Sequence, residues 1–323
     1  MFWLIKIFLI QVSLLLLISC GGGGGGGGSS STSSYVTTEY NNNYGLANIN
    51  ASVAYDRGYN GDGTKVAVLD GGFDTSHTDL DANFITGYDE EDDDNTPNAD
   101  SHNATMGGHG THVSGIIAAE KNDSGMHGVA YNASIIPVKV FKDSGTAVSA
   151  MNLGIDYATD NGAIALNNSW GTSRAVNATC SGISCYVVVP HESSTGSFTS
   201  AERTSWAGVA TDNNVVVFAA GNNGMNNHNG QVKAYRSSND AYLTYYSSQV
   251  VVDALSGIDY VNRSSPEARY GVNASAVEEN WLNVIAVDSS NTIATYSNAC
   301  GDTKAYCIAA PGTDIYSTLP TDL

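Results

Sequence analysis

The feature that most constrains this chain is the alternation of short apolar, β-branched runs with segments of helical period. Six runs are typical of buried strands: Lys65–Leu69, Ile135–Phe141, Ile164–Leu166, Val215–Ala220, Val284–Val287 and Tyr306–Ala309. Three segments between them have helical period: Thr111–Lys121, Val148–Asn161 and Ser200–Asn213. Parallel strands need helical crossovers of this kind, so the sequence predicts an α/β fold with a mostly parallel sheet.

Polar side chains follow several of these runs at the point where each strand ends. Asp70 comes directly after VAVL, Asn168 and Ser169 follow IALN, and Asn222 follows VVVFAAG. The carboxyl ends of parallel strands share one rim of a sheet, so residues far apart in sequence can converge there. We expect the chemistry of the protein at this rim.

The charge balance excludes some partners. The 323 residues contain 13 Lys and Arg against 32 Asp and Glu, a net charge of −19. Such a surface repels the phosphates of nucleic acids and the headgroups of anionic membranes. A role in nucleic-acid binding is therefore disfavoured.

The first twenty residues, MFWLIKIFLIQVSLLLLISC, form a long apolar run with one Lys and a final Cys. This pattern resembles a bacterial lipoprotein signal in which Cys20 becomes the lipidated first residue, although an apolar stretch of this length could also act as a transmembrane anchor. Residues 21–45 begin with eight glycines and are expected to form a flexible tether. Residues 46–323 then form one domain.

Four cysteines remain after Cys20. Export places them in an oxidising compartment, where the close spacing favours disulfides between Cys180 and Cys185 and between Cys300 and Cys307. Other pairings, or free buried thiols, stay open.

The stretch GGHGTHVSGIIAAE places His109 among glycines at the opening of a helix. A histidine there can act as a general base if a carboxylate fixes its tautomer and a hydroxyl lies on its other side. As alternatives, His109 and His112 could bind a metal with His102, or His112 could simply pack within the helix. Taken alone, Asp70 could cap a turn, and Asn222 could belong to an Asn-Gly type turn or donate to an oxyanion.

Taken together, these segments resemble the subtilisin-like serine proteases over most of residues 50–323. AVLDGGFDTSHTDL resembles the family's aspartate motif, with Gly71 in place of the usual Ser or Thr, and HGTHVSG matches the histidine motif. The resemblance implies a three-layer, doubly wound α/β fold. It also implies that Asp70 and His109 are catalytic, that Asn222 stabilises the oxyanion, and that Ser169, Trp170 and Gly171 of LNNSWG bind substrate.

The catalytic serine of the family follows these residues, in a Gly-Thr-Ser-Met-Ala type motif. The only Gly-Thr-Ser here, Gly171 to Ser173, precedes Asn222 and is followed by polar residues rather than an apolar helix. We therefore expect the serine beyond AAPGTDIYSTLP and beyond Leu323, so that the fold is incomplete at its C-terminus. The 323 residues alone are expected to be inactive.

The resemblance implies a serine endopeptidase that acts on protein or peptide substrates and requires no cofactor. The alternative is a non-catalytic, surface-exposed peptide-binding lipoprotein or a gene relic. An exported, lipid-anchored protein of the bacterial cell envelope is expected, and the arrangement also resembles the passenger of a surface-anchored autotransporter.

Calcium is a further possibility that the resemblance implies. Asp79 and the loop EKNDSGM, with Asn122 as a side-chain ligand, align with a common calcium site of the family. The acidic run DEEDDDN at 89–95 is either a solvated loop or a second place for calcium.

Overall fold

The computed structural model describes residues 33–98, 108–149, 151–171, 198–222, 277–298 and 300–321, together with the backbone of four short strands between residues 177 and 245. Contacts group residues 33–323 into one compact unit. The apolar N-terminal segment, Cys20 and the glycine tract lie outside the described residues.

Three helices of the described residues lie close to the predicted segments of helical period: α4 (His109–Ala118), α5 (Asn152–Asp160) and α6 (Ser200–Thr211). Three short helices that were not predicted precede them: α1 (Thr38–Asn42), α2 (Tyr44–Asn48) and α3 (Ala51–Tyr55). Helix α5 begins four residues later than predicted, because the Val148 N–H donates to the Val140 carbonyl and keeps this stretch extended. Helix α6 begins with a capping box in which the side chains of Thr199 and Glu202 bond each other's backbone N–H groups.

A seven-stranded sheet with parallel pairings forms the centre of the unit. Its strands are β1 (Lys65–Asp70), β2 (Tyr88–Asp89), β3 (Ser134–Lys139), β4 (Ala165–Asn168), β7 (Val215–Ala219), β10 (Trp281–Val287) and β11 (Cys307–Pro311), in the order β11-β10-β7-β4-β1-β3-β2. The prediction of an α/β fold with a mostly parallel sheet is confirmed. The chain reverses its direction of winding at β1, which creates a crevice beyond the carboxyl ends of β1 and β4.

The two faces of the sheet bury separate clusters, as alternation along β1 requires. Leu69 packs with α5, α6 and a group of aromatic rings on one face, while Val68 packs with Phe73 and Val113 on the α4 face. The sheet therefore lies between two helical layers. The first cluster contains aromatic residues that contact one another mostly in T-shaped pairs: Trp170, Phe198, Trp206, Phe218 and Trp281.

Part of the predicted tether is ordered in this structure. Thr37 caps α1 by accepting from the Tyr40 N–H, and Tyr40 itself is buried beside Leu46 and Tyr55. Residues 38–42 and 44–45 therefore lie in helices, because their tyrosines supply apolar surface that the glycine tract lacks.

A second, antiparallel sheet is described by its backbone alone. It contains β5 (Asn177–Ser181), β6 (Ser184–Val188), β8 (Ala234–Arg236) and β9 (Leu243–Tyr245), in the order β5-β6-β9-β8. Its register places Cys180 opposite Cys185. A disulfide between them stays a prediction, since their side chains lie outside the description.

No helix within the described ranges is both long enough and apolar enough to cross a bilayer.

Candidate active site

Asp70 is the last residue of β1 and is almost completely buried. Its side chain is 1% exposed, and its Oδ1 accepts a hydrogen bond of 2.7 Å from the Gly71 N–H. A buried carboxylate needs such donors, because burial without them is costly. The last residue of β1 is thus a carboxylate that is hydrogen-bonded to the backbone of the next residue, Gly71.

His109 is the first residue of α4, and its ring faces Asp70. The His109 Nδ1 lies 2.8 Å from Asp70 Oδ1 and 2.9 Å from Oδ2, while the imidazole remains 44% exposed. Gly110 permits this close approach, since a Cβ there would overlap the carbonyl oxygen of Gly72. With Nδ1–H donating to Asp70, Nε2 is left as the basic nitrogen of the neutral ring.

The electrostatics of this pair favour a protonated ring. The hydrogen bond that His109 donates to Asp70 raises the pKa of His109 above its ordinary value, although desolvation opposes the shift. His112, which is half-buried one turn further along α4, behaves in the opposite way. Burial and the neighbouring His109 lower its pKa. The two histidines of HGTH therefore differ in their chemistry.

Helix α4 is fixed by hydrogen bonds from both sides. The Thr111 hydroxyl accepts from the Asp74 N–H at 2.9 Å, and its carbonyl accepts from the Thr318 hydroxyl at 2.8 Å. Asp74 Oδ2 in turn accepts from the N–H and hydroxyl of Thr321. These bonds lower the pKa of Asp74 against its burial, together with those from Ser76.

The LNNSWG segment follows β4, the neighbour of β1. The indole N–H of Trp170 donates to the Leu69 carbonyl at 2.9 Å, directly before Asp70, and the ring packs against Phe141 and Phe218. Ser169 accepts a hydrogen bond from the Asn167 side chain, and Gly171 is exposed. The side chain of Trp170 thus contacts the end of β1 directly before Asp70.

Asn222 lies beyond the end of β7 and is exposed. The turn before it is held by Asn298, whose backbone N–H donates to the Gly221 carbonyl and whose side chain donates to the Ala220 carbonyl. Sequence reasoning did not single out Asn298, since an Asn in the loop YSNACG has no distinctive pattern. Among the hydrogen bonds of the described residues, none joins Asn222 to Asp70 or His109.

The structure thus brings Asp70 and His109 together, with Ser169, Trp170, Gly171 and Asn222 at the ends of nearby strands of the same sheet. Two residues of the discarded alternatives, His102 and Ser173, lie outside the described residues.

The residues expected to bind calcium also lie together. Asn122 Nδ2 donates to Asp79 Oδ1 at 2.9 Å, beside a cavity of about 640 Å³ that Ser124, Gly125 and Met126 also line. Burial raises the pKa of Asp79, and the nearby Glu120 and Glu39 add to this shift. Within the described ranges, no cluster of three or more His, Cys, Asp or Glu residues is arranged to hold a metal.

Glu39 is a residue that the sequence analysis missed, since it lies in the segment assigned to the tether. Its Oε1 accepts from the N–H groups of Asn122 and Asp123, and its Oε2 is buried without a hydrogen-bond partner among the described residues. Oxygen donors from carboxylates, an amide and backbone carbonyls suit a hard cation such as Ca²⁺. The residue types at this site fit calcium. In this structure the Asn122 amide has its nitrogen, rather than its oxygen, toward Asp79.

The acidic run at 89–95 is partly buried rather than simply solvated. Lys139, only 1% exposed, lies 3.0 Å from Asp89, 3.0 Å from Glu91 and 3.2 Å from Asp143. The carboxylates raise the pKa of Lys139 despite its desolvation. The beginning of the run thus fixes β2 to β3, whose residue Lys139 is the register partner of Asp70.

Cys300 and Cys307 form a disulfide, as predicted. The bridge closes the 3₁₀ turn Gly301–Tyr306 and leads directly into β11. Cys300, the first residue of the bridge, lies two residues after Asn298.

Comparison with known proteins agrees with this geometry. The Subtilase family matches residues 61–322. The chain is 29% identical over 299 residues to an extracellular serine protease of Serratia marcescens, covering 87% of this chain and 25% of that protein. It is also similar to Subtilisin DY of Bacillus licheniformis (28% over 284 residues; 86% and 75%) and to Thermitase of Thermoactinomyces vulgaris (30% over 280 residues; 86% and 73%).

The structure is therefore an α/β protein in which a buried aspartate and an exposed histidine are hydrogen-bonded at the rim of a parallel sheet. With the family match over residues 61–322, this chain belongs to the subtilase family. It spans about a quarter of the length of the Serratia relative.

Proposed function

We propose that this chain provides the aspartate, the histidine and the oxyanion donor of a serine endopeptidase. The observation that carries the proposal is the bond between His109 Nδ1 and both oxygens of buried Asp70, at 2.8 and 2.9 Å. The match to the Subtilase family supports the same function.

The chemistry follows from the geometry of the pair. His109 Nε2 accepts the proton of a serine hydroxyl as the oxygen attacks a peptide carbonyl, and the imidazolium returns the proton to the leaving amine. Asp70 holds the ring in the correct tautomer and stabilises the imidazolium. Asn222 donates to the oxyanion, an interaction worth about 3 to 4 kcal/mol in a subtilisin. Substrate backbone pairs with Ser169, Trp170 and Gly171.

We assign the nucleophile to sequence outside residues 1–323, because no Gly-Thr-Ser motif follows Asn222 in this chain. The chain alone is then inactive, since loss of the serine alone lowers kcat by about 10⁶-fold in subtilisin. The coding DNA after the Leu323 codon tests this assignment. An in-frame Gly-Thr-Ser-x-Ala supports the protease, and a stop codon without one favours the non-catalytic, peptide-binding alternative.

The second test is hydrolysis of casein by the full-length protein, meaning the product of the complete gene. Residues 1–323 serve as the matched control. The proposal expects turnover by the full-length protein alone, and turnover by the control would contradict the position assigned to the nucleophile.

The N-terminal pattern supports export and a lipid anchor at Cys20. The name of the Serratia relative as an extracellular protease is consistent with export. Mass spectrometry of the N-terminal peptide from cells tests the anchor: a diacylglycerol on Cys20 is expected in the wild type and none in C20S. A wild-type N-terminus without lipid would remove the anchor from the proposal.

We also propose that Asp79 and Asn122 bind calcium, with Glu39 near enough to add charge. Ligand at about 100 times its Kd stabilises a fold by about 2.7 kcal/mol. Thermal unfolding of the full-length protein in calcium and in EDTA measures this effect. Calcium should raise Tm in the wild type and much less in D79A, whereas equal shifts would contradict these ligands.

A further inference from the structure

The turn before Asn222 is held in part by a residue from a distant part of the chain. Asn298, which is fully buried, donates its backbone N–H to Gly221 O at 2.8 Å and its side-chain Nδ2 to Ala220 O at 3.0 Å. We propose that Asn298 is a positioning residue that sets the orientation of Asn222 for the oxyanion. This inference rests on the proposed function of Asn222.

The bond to Gly221 O acts on the peptide that leads into Asn222. Because a peptide unit is planar, fixing its carbonyl also fixes the direction of its N–H, which belongs to Asn222. The second bond fixes the preceding peptide in the same way. Both carbonyls therefore constrain where the Cα of Asn222 lies and where its side chain begins.

The turn needs such support because its backbone is unusual. Gly221 has a φ of 103°, a conformation that L-residues rarely adopt. On one side the turn is anchored to the sheet, since the Ala220 N–H donates to Val284 O at 2.8 Å. On the other side Asn298 donates hydrogen bonds to the carbonyls of Ala220 and Gly221.

Asn298 is itself held in place by the segment around it. The Ser297 hydroxyl donates to Asn298 O at 2.9 Å and accepts from the Ala286 N–H at 3.0 Å, which ties the loop to β10. The disulfide Cys300–Cys307 then closes the chain two residues later. The segment that carries Asn298 is thus itself fixed, by hydrogen bonds to β10 on one side and by the disulfide on the other.

Oxyanion stabilisation is sensitive to such positioning. Loss of one oxyanion donor lowers kcat by about 10²- to 10³-fold, and a misplacement of about 1 Å can cost about 100-fold. Removal of Asn298 should therefore lower kcat while leaving the contacts that bind substrate unchanged.

Hydrogen exchange of the full-length protein tests the geometric part without reference to activity. In Asn298→Ala, amides of residues 216–222, including that of Ala220, should exchange about 5- to 10-fold faster than in the wild type. Asn280→Ala is the matched control, because Asn280 Nδ2 donates at 3.1 Å to Asn214 O at the opposite end of β7. It should leave exchange near Ala220 unchanged.

Kinetics test the positioning part. N298A should lower kcat about 10- to 100-fold with KM nearly unchanged, and N280A should change neither. In an N222A background, N298A should cost little more, because the group that it positions is absent. A purely structural role would instead lower activity by the same factor in both backgrounds.

Three results would overturn the inference: unchanged exchange near Ala220 in N298A, additive effects of N298A and N222A, or a rise in KM alone. If N298A does not fold, Asn298→Ser replaces it: both variants retain the backbone donor to Gly221 and remove the amide, and Ser keeps a polar group at this buried position. A full-length wild type without activity would refute the proposed function, and the exchange result would still decide whether Asn298 holds the turn.

Discussion

Asp70 combines burial with a direct bond to an exposed base, and this combination defines the site at the level of single residues. The carboxylate is shielded from water by the end of β1, while the imidazole it holds reaches the surface from the start of α4. The strand and the helix each supply one group, and the glycines around His109 allow them to meet.

Asp70→Asn tests the role of the carboxylate. The amide can hold the ring in the wrong tautomer, so kcat/KM of the full-length protein should fall by about 10⁴-fold, the order seen when this aspartate is lost in a subtilisin. Asp62→Asn, in an exposed turn, is the control and should have no effect. A loss below tenfold in D70N would be inconsistent with the proposed mechanism.

The pH profile tests the same pair independently. Asp70 raises the pKa of His109, and only the neutral ring accepts a proton, so activity should fall as the pH drops through this raised pKa. In D70N the fall should move to lower pH. The bond also stabilises the fold below the ordinary pKa of histidine, and this contribution is lost as the pH rises through the raised value. The same acid limb in both proteins would rule out the coupling.

At the level of elements, the attachment of the edge strand β2 to β3 depends on Lys139. Its ammonium is buried among Asp89, Glu91 and Asp143 and joins β2 to β3. Lys139→Met leaves Asp89 buried without its partner, so the free energy of unfolding should fall by about 3 to 5 kcal/mol. Urea denaturation measures this, with exposed Lys142→Met as the control. Equal midpoints for the two variants would show that the cluster is not stabilising.

The disulfide constrains the opposite end of the sheet. Replacing Cys300 and Cys307 by serine removes a short cross-link, and a loss of about 2 to 3 kcal/mol is expected from the chain entropy of the unfolded state. The melting temperature of the double variant, compared with that of the wild type under oxidising and reducing conditions, measures it. Reduction should lower Tm more in the wild type than in the double variant, which retains Cys180 and Cys185, and equal falls in the two proteins would contradict a stabilising role for the Cys300–Cys307 bond.

At the level of the whole molecule, strong periodicity made the fold predictable. The runs KVAVL and VVVFA lie in strands, and Ser200–Asn213 is a helix except for its last two residues. Tertiary contacts were not predictable. The burial of Lys139 beside Asp89 and the contact of Glu39 with Asn122 depend on partners 50 and 83 residues away, which no local pattern encodes.

The candidate site divides in the same way. The pairing of Asp70 and His109 was predictable because their two motifs together resemble those of a known family, although Asp70 taken alone could have capped a turn. Asn298 had none, since its effect depends on a contact across 78 residues with Ala220. The proposed catalytic pair was therefore visible in the sequence, whereas the proposed positioning residue Asn298 required the structure.

The central claim is that Asp70 and His109 activate a serine. Labelling of the full-length protein with a fluorophosphonate probe, followed by mass spectrometry of the labelled peptide, tests it most directly. We predict one labelled serine in a Gly-Thr-Ser motif that follows Asn222 in sequence, with labelling abolished in H109A. Absence of labelling in the folded wild type, or equal labelling in H109A, would contradict the account.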